Sequence, residues 1–249
     1  MNQFYKTELL IGESGINKLK NSNVIVFGIG GVGGHVCEML VRAGVGSITI
    51  VDFDVVDITN INRQVIALNS VVGKPKVDVM EQRLLDINPN LNITKINDRV
   101  SIDNVNEALS INPNLVINEY NMFIDENNID EVDFSQYDFV VDAIDSVTNK
   151  IDLIVCAHNK GLNIVSAMGA GNRTQIPYFE VSDIYKTYND GLAKIMRKKL
   201  KEKNIENHTV VFSKLTATPV EGQVGSISYY PAMCGCVLAA YVINQLIEQ

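Results

Sequence analysis

The feature that most constrains the fold is a glycine-rich turn that directly follows an apolar run, Val24–Gly34 (VIVFGIGGVGG). Gly28, Gly30 and Gly33 fit the spacing G-x-G-x-x-G, in which glycines let a strand turn tightly into a helix and let the backbone approach a pyrophosphate. Alone, the pattern leaves two interpretations open, because such glycines can also serve the turn only. Either way, the stretch predicts a strand, a turn and a helix in succession.

The segments around this turn complete a β-α-β unit. Hydrophobic periodicity predicts a helix at 7–20, a strand at 24–28, a helix at 31–43 and a strand at 47–52. The strands are continuous runs of apolar residues, as expected when helices cover both faces of a sheet. We therefore predict an α/β fold with a Rossmann-like, doubly wound and mostly parallel sheet, formed as a single domain over residues 1–249.

The rest of the chain continues this alternation of strands and helices. Residues 166–249 are expected to hold a loop that faces the substrate, closing strands and a C-terminal helix. The individual predictions are a helix at 75–85, a strand in YDFVVDAID that ends at Asp142–Asp145, a helix around 148–160, a strand at 161–166, a strand in GSISYYP at 225–231 and a helix at 232–247 begun by Pro231.

Composition and charge narrow the class of protein. With 249 residues, of which 46% are hydrophobic, the chain can bury a sizeable core. It has neither a signal-peptide pattern nor a run of roughly 18 apolar residues, so we expect a cytoplasmic protein with no membrane partner. The net charge of −8 argues against a surface devoted to nucleic acid but leaves room for a local basic patch.

One segment of the chain is repeated. Residues 87–110 and 111–133 both begin with INPNL, which indicates a tandem duplication of one strand-helix piece within 87–133. Coincidence in a chain rich in Asn and Ile is the alternative. We predict that 91–96 and 115–118 both form strands, side by side at the open edge of the sheet; the rival interpretation is a surface excursion without a regular strand.

The residues after the glycine turn decide which phosphate it approaches. Asp52 ends the second strand, where a carboxylate can hold a ribose of either NAD or ATP. The motifs that follow are DFDVVDITNINRQ (52–64), VGKPK (72–76) and DAIDSVTNK (142–150). Together they resemble the ubiquitin-activating-enzyme-like adenylyltransferases, the HesA/MoeB/ThiF family, from about Lys6 to the C-terminus. The resemblance implies a sheet of the ThiF/MoeB type, with ATP and Mg²⁺ as cofactors.

The resemblance also gives roles to two cations. Adenylation of a carbonyl oxygen needs positive charge beside the phosphates of ATP. In the family, the arginine of N-x-x-R-Q and the lysine of G-x-P-K contact these phosphates, and they match Arg63 and Lys76. Lys74 stands at the variable position of the second motif, so we prefer Lys76. Asn60, in the same loop as Arg63, is similarly placed.

Aspartates complete the implied site. The resemblance assigns Asp145 to the Mg²⁺ that accompanies ATP and Asp52 to the ribose hydroxyls, while Asp54 matches an acidic position near the nucleotide. Asp142 keeps two interpretations, because it could cap the next helix or touch Mg²⁺. The catalytic candidates are therefore Arg63, Lys76 and Asp145, and the further nucleotide-binding candidates are Gly28, Gly30, Gly31, Gly33, Asp52, Asp54 and Asn60.

The cysteines and the C-terminal third indicate the branch of the family. The chain has no C-x-x-C pairs for zinc, and the loop after Ser166 has no cysteine for thioester transfer. Residues 168–200 and 225–247 resemble the tRNA threonylcarbamoyladenosine dehydratase subgroup. This implies ATP-dependent dehydration, by cyclisation, of N6-threonylcarbamoyladenosine beside the anticodon through adenylation of its carboxylate. It also implies a homodimer and allows a sulfur-transfer accessory protein as a further partner.

A basic run offers a surface for the anticodon loop of tRNA. Residues 194–203 carry six cations in about three helical turns of an otherwise acidic chain. Tyr178, Phe179, Tyr185 and Tyr188 lie nearby in the sequence and could stack on bases. The alternative is an ordinary solvated helix face.

Two other functions remain open at this point. One is an adenylyltransferase that activates the C-terminus of a small sulfur-carrier protein, and the other is a nucleotide-binding module without catalysis. NAD reduction would leave Arg63 and Lys76 unexplained.

The N-terminal segment departs from the family pattern. Many relatives carry an N-terminal arginine that reaches the partner subunit. This chain has Lys6 instead, which keeps the positive charge but cannot make the two parallel hydrogen bonds of an arginine.

Overall fold

The computed structural model describes residues 2–96, 136–218, 220–222 and 224–248, and its strands form one seven-stranded sheet. The strands are β1 (Asn23–Phe27), β2 (Ser47–Val51), β3 (Asn92–Ile96), β4 (Phe139–Asp142), β5 (Ile164–Ala167), β6 (Phe179–Asp183) and β7 (Thr209–Ser213). Their order is β3-β2-β1-β4-β5-β7-β6, with β6 and β7 antiparallel and all other neighbours parallel. The predicted doubly wound, mostly parallel sheet is confirmed.

Helices cover both faces of the sheet. They are α1 (Tyr5–Asn21), α2 (Gly33–Ala43), α3 (Lys76–Ile87), α4 (Val147–Asn159), α5 (Gly191–Glu202) and α6 (Tyr229–Glu248). Leu40 of α2, Met80 of α3 and Leu238 of α6 belong to one buried cluster, whereas Leu153 of α4 and Met196 of α5 belong to a second one. The strands are apolar on both faces because each face packs against helices.

The strand order places a crevice at the carboxyl ends of β1 and β4. The chain moves outward from β1 through β2 to β3 and then resumes on the other side of β1 with β4. Loops that leave adjacent strands in opposite directions open a crevice, which is where α/β sheets bind ligands. The glycine turn follows β1, and the D-x-x-D motif formed by Asp142 and Asp145 begins at the end of β4.

The outer edge of the sheet carries the first copy of the repeat. β3 pairs in parallel with β2, with Ser47 opposite Asn92, and it begins one residue later than predicted because Leu91 precedes it as a buried loop residue. The second copy, at 115–118, lies outside the described residues, so the duplication stays a prediction.

The strand predicted in GSISYYP is wrong. Residues 224–227 have no regular structure, and α6 already begins at Tyr229. Tyr230 is fully buried, where its ring packs edge-on against Phe179 at 5.2 Å and its hydroxyl shares a 2.7 Å hydrogen bond with Ser213. Aromatic residues favour strands, but here packing against β6 and β7 decides the structure. Both of these strands lie within residues 166–249.

The C-terminal helix is unusually apolar. By length and composition alone, α6 could cross a membrane. However, Leu238, Val242 and Leu246 are buried in the core, and α6 packs against α2 and the sheet. A core helix of an α/β protein passes the same test, which explains the composition.

Candidate nucleotide-binding site

A cavity of about 930 Å³ opens at the carboxyl ends of the parallel strands. It collects residues from the loops after β1, β2, β4 and β5, as expected at the point where the strand order reverses. The predicted site residues that line it are Gly28, Gly30, Gly31, Asp52, Asp54, Asn60, Arg63, Lys76 and Asp145. Sequence motifs separated by more than 100 residues thus meet in one place.

The glycine turn is built for close approach of the backbone. Gly28 has a φ of 85°, and a Cβ there would lie 2.7 Å from the carbonyl oxygen of Ala143. Gly33 does not line the cavity; a Cβ on Gly33 would collide with the carbonyl oxygen of Gly28. Gly33 therefore lets α2 pack tightly on β1, while Gly28, Gly30 and Gly31 leave the cavity wall as bare backbone.

Asp52 is held firmly beside the turn. Its carboxylate accepts hydrogen bonds from the N–H groups of Ile29 at 2.6 Å and Asp54 at 2.9 Å, and its side chain is only 8% exposed. Burial raises the pKa of Asp52, and the charge of Lys76 together with the two N–H groups opposes this shift. The result is a fixed acceptor at the end of β2, suited to the two hydroxyls of a ribose.

Lys76 reaches the same wall from the start of α3. Its ammonium lies 2.6 Å from Asp54 Oδ2 and 3.5 Å from Asp52 Oδ1. The backbone N–H of Lys76 also donates to the carbonyl of Asp54, which fixes the two segments against each other. Lys74 is exposed and lies outside the wall, so Lys76 is the one of these two lysines that lines the cavity.

Arg63 lines the cavity from a loop that is held by a capping box. Asp57 accepts hydrogen bonds from the backbone and hydroxyl of Thr59, and these lower its pKa, while its own N–H donates to the buried Asn60. Arg63 Nη1 donates to the carbonyl of Thr59 at 2.9 Å and to the side chain of Asn62 at 3.0 Å. These two hydrogen bonds, both made by Nη1, fix the orientation of the Arg63 guanidinium. Asn60 has a supporting role in the loop besides its place in the wall.

The D-x-x-D motif divides into a structural and an exposed aspartate. Asp142 is fully buried, pairs with the equally buried Lys150 at 2.7 Å and accepts the N–H of Ile144 at 3.1 Å. Both interpretations of Asp142 from the sequence are therefore wrong, because Ser146 occupies the start of α4 and the carboxylate is used by Lys150. The turn that Asp142 stabilises presents Asp145, which is exposed and lines the cavity.

The donor set at Asp145 fits a nucleotide-borne cation rather than a metal cage. Within the described ranges, no group of three or more His, Cys, Asp or Glu side chains converges on one point. Mg²⁺ in nucleotide sites is commonly held by one or two carboxylates together with phosphate oxygens. A single exposed carboxylate beside the glycine turn meets this requirement.

Sequence reasoning missed two buried residues behind the far wall of the cavity, Arg173 and Asp190. Both are 4% exposed, and both bond to the main chain of the wall formed by Gly169–Gly171. The available signal was local: Arg173 follows the glycine-rich GAGN, and Asp190 precedes a helix, where aspartate is a common N-cap.

The basic run forms most of α5, and its side chains differ in how exposed they are to solvent. Lys194, Lys198 and Lys201 are exposed, whereas Arg197 donates to the carbonyl of Thr187 at 2.9 Å and to its hydroxyl. Arg197 thus has an anchoring role.

The four nearby aromatic residues separate in the same way. Phe179 packs on Tyr230, and the Tyr185 hydroxyl donates to the carbonyl of Ile205 at 2.5 Å. Tyr178 and Tyr188 remain 55% and 47% exposed. Tyr178 and Tyr188 are therefore the most exposed rings of the four, although Tyr188 also packs edge-on against Phe212 at 5.6 Å.

None of the four cysteines lies in the wall of this cavity. Burial raises the pKa of Cys37 and Cys236, and it raises that of Cys234 to about 12. A thiol with a raised pKa is a poor nucleophile at neutral pH. The structure thus agrees with chemistry that uses no enzyme thiol.

Comparisons with known proteins relate the whole chain to a protein family and to several relatives. The ThiF family model matches residues 5–110 and 105–249, two parts that overlap inside the repeated segment. A tRNA threonylcarbamoyladenosine dehydratase of Bacillus subtilis is 34% identical over 100% of this chain and 96% of its own length. One from Escherichia coli is 35% identical over 80% of this chain and 65% of its own length. The crystal structure of an E. coli tRNA N6-threonylcarbamoyladenosine dehydratase in complex with ATP superposes with a TM-score of 0.79 at 31% identity, covering 99% of this chain and 94% of that one.

Proposed function

Because the chain belongs to the ThiF family, we propose that it is an ATP-dependent tRNA threonylcarbamoyladenosine dehydratase. It would adenylate the carboxylate of N6-threonylcarbamoyladenosine beside the anticodon and close it into the cyclic form. The observation that carries this proposal is the cavity, in which the glycine turn, two cations and the Asp145 carboxylate converge. Relatives of the same name, matched over most of this chain, give the substrate class.

The residues at the near end of the cavity would bind and orient ATP. Asp52 accepts hydrogen bonds from the ribose, and the bare backbone of Gly28–Gly31 approaches the phosphates. Lys76 and Arg63 supply positive charge as the pyrophosphate departs. Asp145 would hold Mg²⁺, which would neutralise phosphate charge.

The far end of the cavity leaves room for a second substrate. Asp52 follows β2 and Ala167 ends β5, and both line the cavity. These strands are three positions apart in the sheet, which corresponds to about 14 Å at the usual strand spacing. A carboxylate that enters beside Gly169 can attack the α-phosphate and release pyrophosphate. An internal nitrogen or oxygen of the substrate then displaces AMP, so that the net change is loss of one water.

The tRNA itself would lie along α5. Lys194, Lys198 and Lys201 are exposed on this helix, and Leu192 in its first turn lines the cavity. Positive charge that begins at the site and runs away from it suits a phosphate backbone whose modified nucleotide reaches inward. Tyr178 and Tyr188 offer stacking faces nearby.

We further propose a homodimer that acts in the cytoplasm without a membrane partner. Leu9 and Leu10 of α1 are 62% and 87% exposed, and Met233 of α6, a helix that packs on α1, is 44% exposed. Exposed apolar side chains on adjacent helices are typical of protein interfaces. A sulfur-transfer protein is proposed as an accessory partner on the resemblance of the chain alone.

ATP–pyrophosphate exchange tests the proposal. We expect exchange that depends on tRNA carrying N6-threonylcarbamoyladenosine, and none with tRNA that lacks this modification. Exchange stimulated instead by the C-terminus of a small sulfur-carrier protein would favour that activity. ATP binding without exchange under either condition would indicate a non-catalytic module.

A further inference from the structure

One buried carboxylate joins the far wall of the cavity to α5. Asp190 Oδ1 accepts the N–H of Ala193 at 2.9 Å and so caps the helix, while Oδ2 accepts the N–H of Gly169 at 3.0 Å. A Cβ on Gly169 would lie 3.1 Å from both carboxylate oxygens, so this approach favours glycine. The position of the wall is thus tied to the first turn of the helix.

The guanidinium of Arg173 fixes the rest of this wall. Its nitrogens donate to four main-chain carbonyl groups, those of Gly169 (2.9 Å), Gly171 (3.1 Å), Asn189 (3.3 Å) and Leu215 (2.9 Å). Arg173 also lies 3.7 Å from Asp190 Oδ2, so the two buried charges compensate each other. Burial raises the pKa of Asp190, while the N–H groups and Arg173 oppose that shift.

This arrangement lies at the end of the cavity proposed for the second substrate, away from the end proposed for the nucleotide. Gly169–Gly171 follow β5, on the far side of the cavity from Asp52 and Lys76. The helix that Asp190 caps is the one whose exposed lysines form the proposed tRNA surface. The two residues therefore connect the place where tRNA would dock with the place where its modified base would react.

We propose that Asp190 and Arg173 are positioning residues, which hold the Gly169–Gly171 wall in a fixed relation to α5 so that a tRNA bound along the helix presents its carboxylate to ATP. The inference rests on the proposed function and adds a determinant of substrate placement to it. Neither residue needs to touch the reacting atoms.

The variant Asp190→Asn tests this role. An asparagine has one acceptor oxygen, so it can keep the bond to Ala193 or the bond to Gly169 but not both. We expect kcat/KM for modified tRNA to fall by roughly 10- to 100-fold, as for a reacting group misplaced by about 1 Å, with the dissociation constant of ATP unchanged.

The matched control is Asp183→Asn. Asp183 also bridges two segments, because Oδ1 accepts the N–H of Tyr185 at 2.8 Å and Oδ2 accepts the N–H of His208 at 3.1 Å, yet it lies outside the cavity wall. We expect both variants to lower thermal stability, because each loses one of two bridging hydrogen bonds, but Asp183→Asn should leave kcat/KM unchanged. Equal kinetics for the two variants, or a parallel loss of ATP affinity in Asp190→Asn, would overturn the proposal.

Arg173→Lys gives a second test, at the other positioning residue. Lysine keeps the charge but cannot reach four carbonyl groups, so the same selective loss with tRNA is expected. Wild-type activity in Arg173→Lys would count against a positioning role. Failure of the wild-type protein to act on tRNA would instead contradict the proposed function, so the two failures are distinguishable.

Discussion

At the scale of single residues, Lys76 and Lys74 provide a test of the phosphate site within one motif. Lys76 is buried in the cavity wall and Lys74 is exposed outside it. We expect Lys76→Ala to reduce pyrophosphate exchange by about 100-fold or more, because a cation at the transferring phosphate is lost. Lys74→Ala should be close to wild type. Similar rates for the two variants would contradict the assignment of Lys76.

His208 makes the stability of the fold sensitive to acid. It is 2% exposed, and its ring bonds to Ser166 Oγ at 2.8 Å and to His158 Nε2 at 3.2 Å. Burial, with the nearby charges of His158 and Lys150, lowers the pKa of His208 from 6.5 to about 3. Below pH 6.5 the unfolded chain therefore binds a proton that the folded chain does not. The free energy of unfolding consequently decreases as the pH is lowered below 6.5.

The measurement is urea unfolding of the wild type and His208→Gln between pH 7 and pH 5. Below pH 6.5, the wild type should lose about 1.4 kcal/mol per pH unit more than the variant, while above that pH the two should run parallel. Equal slopes over the whole range would show that His208 is not held neutral.

Residues in local motifs could be predicted, and residues that act through distant contacts could not. Asp52 follows β2 and Lys76 starts α3, whereas Arg63 and Lys76 were singled out by their match to family motifs; all three line the cavity. Asp142 could not be interpreted correctly because its partner, Lys150, is a lysine fully buried in the core. Arg173 was missed because its hydrogen bonds go mainly to main-chain carbonyl groups, which leave no sequence signal.

At the scale of secondary-structure elements, α5 carries the test of the tRNA surface. Arg197 is anchored to Thr187, so the informative substitutions are at exposed positions. We expect Lys198→Glu with Lys201→Glu to weaken tRNA binding and to lower the salt slope by about one for each lost phosphate contact, with ATP affinity unchanged. Lys20→Glu with Lys74→Glu changes the net charge equally at exposed positions away from α5 and serves as the control. If both double variants weakened tRNA binding equally, the effect would come from the change in net charge, and α5 would not be the tRNA surface.

Elements with strong local periodicity were predictable, whereas those decided by packing were not. The strands and helices from α1 to α3 lie within a few residues of their predicted bounds. A strand was predicted at GSISYYP, but the burial of Tyr230 against Phe179 overrides the strand preference of this segment. The match to the ThiF family model is divided into two parts that overlap at residues 105–110. This overlap lies within the proposed duplication at 87–133, where an additional strand-helix unit would interrupt the match.

At the scale of the whole molecule, the exposed leucines of α1 predict association. Leu10 is 87% exposed, which is costly for an unpartnered apolar side chain on a helix. Light scattering at micromolar concentration should give about twice the chain mass of 27.5 kDa, and Leu9→Lys with Leu10→Lys should shift the mass toward the monomer. A wild-type monomer would refute the homodimer.

The central claim concerns the whole reaction, so its most direct test is mass spectrometry of nucleosides from tRNA treated with the purified protein. With ATP and Mg²⁺, N6-threonylcarbamoyladenosine beside the anticodon should be replaced by a nucleoside lighter by one water, together with stoichiometric AMP and pyrophosphate. The Lys76→Ala protein should leave the nucleoside unchanged. Unaltered N6-threonylcarbamoyladenosine after treatment with wild-type protein that binds ATP would contradict the account.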